Sequence, residues 1–182
     1  MWEHAYSEGT FDFMRNLYEL PRYSVLIGYV RTLAAAPAIL DIGCGVGILR
    51  EMLDSTDFTS YVGVDVSAEA IKSASRLADK RTRFTVGDAT TIDLPRADVI
   101  VLNEIIYYAP SPHALLERVA SVARPGGLVL TSIWRHPGDE TLWRLLDREF
   151  RLVAACQIGA EMNPYNRRGW RVSCHAASPS VP

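Results

Sequence analysis

Cysteine is scarce in this chain: Cys44, Cys156 and Cys174 are the three in 182 residues. Few, odd in number and widely spaced, they argue against a disulfide framework or a zinc site. They argue instead for free thiols in a reducing, cytoplasmic setting, and no metal is expected. Long apolar runs are missing too. None approaches the roughly 20 residues that cross a bilayer, and the first residues carry Glu3, His4 and Glu8 in place of the apolar core of a signal peptide. An excess of either charge is also absent. A net charge of −2 draws the chain neither to nucleic acid nor to an anionic membrane. The one basic group, Arg167, Arg168 and Arg171, is small, lacks interleaved aromatics and reads as a solvated turn. The remaining composition, 48% hydrophobic and 22% charged, is that of one globular domain with its own core. The expected partner is a small molecule, with no nucleic acid and no membrane, taken up by a monomer or homodimer.

Periodicity divides the chain in two. Residues 1–36 are rich in aromatics and carry apolar residues at helical spacing, which predicts helices over 10–19 and 22–35 and a lid over whatever site follows. From Pro37 short apolar runs alternate with helical stretches. Strands are predicted over 38–42, 60–65, 82–86, 98–102 and 128–134, and helices over 47–54, 68–79 (behind Ser67 as N-cap), 112–123 and 139–147. Such alternation makes a parallel sheet with helices on both faces. The last two strands, 150–158 and 169–176, are joined by a polar loop too short for a crossover helix, so they should form an antiparallel hairpin. The predicted fold class is α/β, Rossmann-like: a mostly parallel seven-stranded sheet closed by a C-terminal antiparallel hairpin. Domain 37–176 carries the site, and 177–182 is a tail. Asn163-Pro164-Tyr165 lies in the hairpin loop and reads as a turn.

In such a sheet, ligands bind outside the carboxyl ends of the strands, where strand order reverses. Three strands deliver polar residues to that edge. The first ends in Asp41-Ile42-Gly43-Cys44-Gly45-Val46-Gly47, whose alternate glycines allow a tight turn and close approach to a ligand. The second ends in Asp65, placed to accept hydrogen bonds from a ribose diol, and the third in Gly87-Asp88, placed to accept from an exocyclic amino group such as that of adenine. A dinucleotide loop reads G-x-G-x-x-G; this one reads G-x-G-x-G with Asp41 two residues ahead. A carboxylate there repels a pyrophosphate and attracts an α-ammonium group. The site therefore asks for adenosine joined to an amino acid.

With those residues in view, the stretch Ile39–Gly47 resembles motif I of the class I S-adenosylmethionine-dependent methyltransferases. Val62-Gly63-Val64-Asp65, Val86-Gly87-Asp88-Ala89 and Arg124-Pro125-Gly126-Gly127-Leu128 are similar to their second-strand acid, third-strand adenine contact and turn before strand five. The resemblance implies S-adenosyl-L-methionine as cofactor. Asp41, Gly43, Gly45 and Gly47 would hold its methionine part, Asp65 with Val66 its ribose, and Asp88 with Ala89 its adenine. Asn103 would line the sulfonium side, and Arg22 resembles an arginine that some members aim at the methionine carboxylate. Asn103-Glu104-Ile105-Ile106-Tyr107-Tyr108 resembles a pattern in small-molecule members, distantly the nodulation N-methyltransferases, and departs from the Asn-Pro-Pro-Tyr of base and glutamine methylation.

Methyl transfer to nitrogen or oxygen requires the nucleophile to be aligned and, where needed, a proton to be taken up. Glu104, Tyr107 and His136 follow strands four and five and are the catalytic candidates; His136 titrates near neutral pH when unperturbed. The expected function is transfer of a methyl group to N or O of a small molecule, an amino sugar or secondary metabolite. Two other classes stay open at this level: a nicotinamide-dependent oxidoreductase, disfavoured by Asp41 and the loop spacing, and a non-catalytic module that binds S-adenosylmethionine.

Overall fold

A computed structural model of the chain describes residues 2–33, 35–159 and 169–177. Seven strands form one sheet in the order β3-β2-β1-β4-β5-β7-β6. They are β1 (Ala38–Ile42), β2 (Ser60–Asp65), β3 (Thr82–Val86), β4 (Ala97–Asn103), β5 (Ala123–Trp134), β6 (Phe150–Ile158) and β7 (Trp170–Ala177). Strands β1 to β5 pair parallel to one another. Strand β7 enters antiparallel between β5 and β6, so the expected hairpin closes the sheet. The order reverses at β1, whose two neighbours are β2 and β4, and this sets the crevice between β1 and β4.

The helices cover both faces because the inner strands are apolar on both. All five residues of β1 are buried. Leu40 and Ile42 pack with Ile100 and Leu102 against α5 (Pro112–Val122) and α6 (Asp139–Glu149). Ile39, Val99 and Val101 pack on the opposite face against α2 (Leu20–Arg31) and α3 (Ile48–Met52). Each such fully buried aliphatic side chain contributes about 1.5–3 kcal/mol. Ser67 caps α4 (Ala68–Ala74) by accepting from the Ala70 N–H at 3.2 Å, as its sequence position predicts.

The preamble departs from expectation. The helix expected over 10–19 is a 3-10 turn, Asp12–Arg15, and an unforeseen helix α1 (Trp2–Ser7) precedes it. Gly9 lies between them with φ 69°, a left-handed backbone that stops a helix. The helix expected over 68–79 ends as α-helix at Ala74 and continues as a 3-10 turn, Ser75–Leu77. The segment holding Asn163, Pro164, Tyr165, Arg167 and Arg168 lies outside the described residues, as does the tail beyond Ala177. Among the described residues no helix is long and apolar enough to cross a membrane, and no cluster of His, Cys, Asp and Glu could hold a metal ion.

Candidate active site

A cavity of about 520 Å³ opens at the carboxyl ends of β1, β2, β3 and β4, a size that suits a small-molecule ligand. Its floor is the glycine loop. Gly43, Gly45 and Gly47 all hold positive φ angles of 74°, 52° and 83°. A Cβ on Gly43 would collide with the Ile105 side chain, and one on Gly45 would stand 2.9 Å from the Tyr6 hydroxyl. The loop is therefore packed from both sides, and side chains are excluded there by conformation as well as by space. Gly47 is the N-cap of α3 and does not itself line the cavity.

Asp41 lines this cavity, 2% exposed, and its Oδ2 accepts a hydrogen bond from the Tyr61 hydroxyl. Burial raises its pKa to about 7, against the Tyr61 bond, and the neighbouring Asp65 raises it further. A carboxylate so placed is stabilised by any cation brought into the cavity. Asp65 also lines the wall, but its oxygens bind the chain: Oδ2 accepts from the Gly45 N–H and Oδ1 from the Ser67 N–H, both at 2.9 Å. It braces the glycine loop onto the end of β2, and burial raises its pKa against those two bonds. Val66 beside it is half exposed on the same wall. At the far end Asp88 is exposed; its Oδ1 accepts from the Thr90 N–H (2.8 Å) and hydroxyl (2.7 Å), and Ala89 is buried against the core.

The opposite end is a polar network around the end of β4. Ser132 donates through Oγ to Asn103 Oδ1 at 2.6 Å and Glu104 Oε1 at 2.9 Å. The Tyr107 hydroxyl donates to Glu104 Oε2 at 2.7 Å. Burial raises the Glu104 pKa, opposed by Arg22 and by these two bonds. Glu104 is also the one non-glycine among the described residues with positive φ, 60°, a conformation that costs about 1–3 kcal/mol and collects at functional sites. Arg22 is 1% exposed and lines the cavity, yet its donors go to the chain: the Glu19 carboxylate, Asn103 Oδ1 (3.3 Å) and the Tyr23 hydroxyl (3.4 Å). Burial alone would lower its pKa; Tyr23, Glu19 and Glu104 outweigh it and the guanidinium stays charged.

The fold thus brings Arg22, Asp41, Gly43, Gly45, Asp65, Val66, Asp88, Ala89, Asn103 and Glu104 to one cavity. Tyr107 and His136 are not among the lining residues: Tyr107 supports Glu104, and His136, partly exposed, places Nδ1 2.9 Å from the Pro137 carbonyl oxygen. The sequence singled out no residue of the preamble except Arg22. In the structure Tyr6, Phe11, Met14 and Arg15 line the cavity as well. Their aromatic and apolar character was visible; the close approach of Tyr6 to Gly45 is a long-range contact that no local pattern encodes. Ser132 and Tyr61 were likewise missed because both read as ordinary strand residues.

A doubly wound sheet thus carries one cavity at its carboxyl edge, with a glycine floor and Asp41, Asp65 and Asp88 in the wall. The chain belongs to the methyltransferase domain family, whose model matches residues 6–177. It is 32% identical over 127 residues to a ubiquinone biosynthesis O-methyltransferase of Bradyrhizobium sp. (strain ORS 278), covering 68% of this chain and 45% of that protein. Its fold is similar to that of the N-methyltransferase NodS from Bradyrhizobium japonicum WM9 in complex with S-adenosyl-L-homocysteine: TM-score 0.81, 18% identity, 92% of this chain and 91% of that one. A 1,6-didemethyltoxoflavin-N1-methyltransferase from Burkholderia thailandensis gives a TM-score of 0.79 at 18% identity over 98% and 86% of the two chains. The chain spans about half the length of the curated relatives it matches.

Proposed function

We propose that this chain transfers the methyl group of S-adenosylmethionine to a nitrogen or oxygen atom of a small molecule, an amino sugar or secondary metabolite. The observation that carries the reading is Asp41: a buried carboxyl in the cavity wall, whose ionised form a cation brought into the cavity would stabilise, and the α-ammonium of a methionine moiety is such a cation. S-adenosylmethionine supplies a methyl group already activated on a sulfonium. The chain's own residues do the rest. Asp41 and the glycine loop would hold the methionine part, Asp65 and Val66 the ribose, and Asp88 with Ala89 the adenine. Asn103 lines the sulfonium side. Glu104, held by Ser132 and Tyr107, accepts the proton of the incoming nucleophile, and the cavity aligns that nucleophile with the methyl group.

The relatives support this reading. Curated relatives are named as a 2-methyl-6-phytyl-1,4-hydroquinone methyltransferase and a ubiquinone biosynthesis O-methyltransferase, and two of the structural neighbours are N-methyltransferases described with S-adenosylhomocysteine bound. The preamble serves as the lid. Glu3 on α1 accepts from the Ala68 N–H (2.6 Å), the Glu69 N–H (3.1 Å) and the Ser67 hydroxyl (3.1 Å) at the start of α4, while Tyr6 stands over Gly45. The test is methyl transfer from labelled S-adenosylmethionine to a panel of sugars, amines and phenols. Labelled product from a nitrogen or oxygen acceptor is expected; cofactor binding with no transfer to any acceptor would reduce the chain to a binding module.

A further inference from the structure

Four rings form a ledge that starts at the cavity wall and runs outward over the ends of β4 and β5. Tyr108 lines the cavity, and its ring centre lies 4.5 Å from that of Tyr107. Tyr107 meets His136 edge-on at 6.0 Å, and His136 meets Trp134 at 5.5 Å. The two ends stay open to solvent, with Tyr108 51% and Trp134 40% exposed. Leaving such surface in water forgoes hydrophobic stabilisation, and rings placed this way offer a partner ring an offset-stacked or edge-to-face contact.

Tyr107 ties the ledge to the chemistry. Its ring touches both Tyr108 and His136, tilted against the first and edge-on to the second, and its hydroxyl donates to the Glu104 carboxylate. The charge balance of the wall adds a second constraint. Each of the three lining arginines already faces an acid: Arg15 lies 2.5 Å and Arg76 3.9 Å from Glu51, and Arg22 is bound to Glu19. Arg15 and Arg76 share the single Glu51 carboxylate, whereas Arg22, the arginine whose charge reaches Glu104, is already paired with Glu19, so at this end of the cavity Glu104 is the group set to meet a donor or a cation.

We propose that Glu104 and the ledge of Tyr107, Tyr108, His136 and Trp134 form a substrate subsite for a ring-bearing amine, with the amine at Glu104 and the ring system on Tyr108 and Trp134. This rests on the methyltransferase reading for its chemistry. The amine nitrogen gains the bond to the methyl carbon, the carbon–sulfur bond breaks with its electron pair on sulfur, and Glu104 holds the proton that the nitrogen loses. The subsite itself is independent of the cofactor and can be tested without it.

Saturation-transfer NMR on the full chain, with and without S-adenosylhomocysteine, uses four probes: 2-phenylethylamine, glucosamine, 3-phenylpropionate and hexylamine. One of the two ring amines is expected to bind, with the strongest transfer at its ring protons, and the winner tells a flat ring from a sugar. Trp134→Ala and Tyr108→Ala should weaken that probe at least about fivefold, while Trp134→Phe and Tyr108→Phe retain it; thermal melts confirm that all four variants fold. Glu104→Gln should remove the preference for the amine over the carboxylate probe. Binding of neither ring amine, equal binding of 3-phenylpropionate or hexylamine, or no loss in the alanine variants overturns the proposal. Binding of a ring amine by a chain that ignores S-adenosylhomocysteine would leave the subsite standing and remove the methyltransferase reading.

Discussion

If Asp41 holds the α-ammonium of the cofactor, affinity must depend on pH in a way that Asp41 dictates. Its folded pKa is about 7, set first by burial and opposed by the Tyr61 hydroxyl. Near pH 6 only about a tenth of the carboxyl is ionised, and near pH 7.5 about three quarters. The α-ammonium of an amino acid stays protonated across that window, so the ionised fraction governs the change. Affinity for S-adenosylhomocysteine should rise roughly eightfold from pH 6 to pH 7.5, a little over 1 kcal/mol. Calorimetry in buffers of different ionisation enthalpy should show proton release on binding near pH 6. Asp41→Asn keeps the shape and removes the titration, so its affinity should be weaker and flat with pH. The unliganded protein should show the opposite trend in stability. Folded Asp41 holds its proton more tightly than the unfolded chain, so stability falls as pH rises from about 4 to about 7 and then levels off. Wild-type affinity that is flat from pH 6 to 7.5, or that falls, would refute the assignment of Asp41 to the ammonium group.

Further outcomes follow from the same geometry. Asp65→Ala removes the acceptor of the Gly45 and Ser67 N–H groups; it should abolish S-adenosylmethionine binding in calorimetry and lower the melting temperature, each lost backbone bond costing about 1–3 kcal/mol. Glu104→Gln should reduce kcat by about 10²–10⁴-fold and leave the S-adenosylhomocysteine Kd within about twofold; His136→Ala, outside the cavity lining, should act on the KM of the acceptor more than on kcat. Glu3→Gln weakens the clasp between α1 and α4, so stopped-flow dissociation of S-adenosylhomocysteine should quicken. Acid should do the same to the wild type, because the Ala68 and Glu69 N–H groups hold the Glu3 pKa low and the clasp is lost only as pH falls through that lowered value.

The sheet was legible because its signals are local. The apolar runs at 38–42 and 60–65 match β1 and β2 residue for residue, and the short polar link before the last strand required the antiparallel pairing seen. That Asp41, Asp65 and Asp88 share one cavity was legible because acids at strand ends must lie on one edge of a parallel sheet. What the sequence hid was partnership. Asp65 was read as facing a ribose alone, yet its oxygens also brace the glycine loop through Gly45 and Ser67. Arg22 was read as reaching a carboxylate, yet Glu19, three residues before it on the same helical turn, takes the guanidinium in a buried pair. The fold leaves His136 out of the cavity lining and sets Glu104, half-buried, within it. The preamble failed for a different reason: Gly9 breaks its periodicity, and its placement depends on long-range contacts of Glu3 with α4 and of Tyr6 with Gly45.

The most direct test is a crystal structure of the chain with S-adenosylhomocysteine. The account predicts the ligand in the crevice between β1 and β4, its ammonium within hydrogen-bonding distance of Asp41, its adenine at Asp88 and Ala89, and its sulfur facing Asn103 and Glu104. A ligand bound in the reverse direction, or outside this cavity, would contradict it.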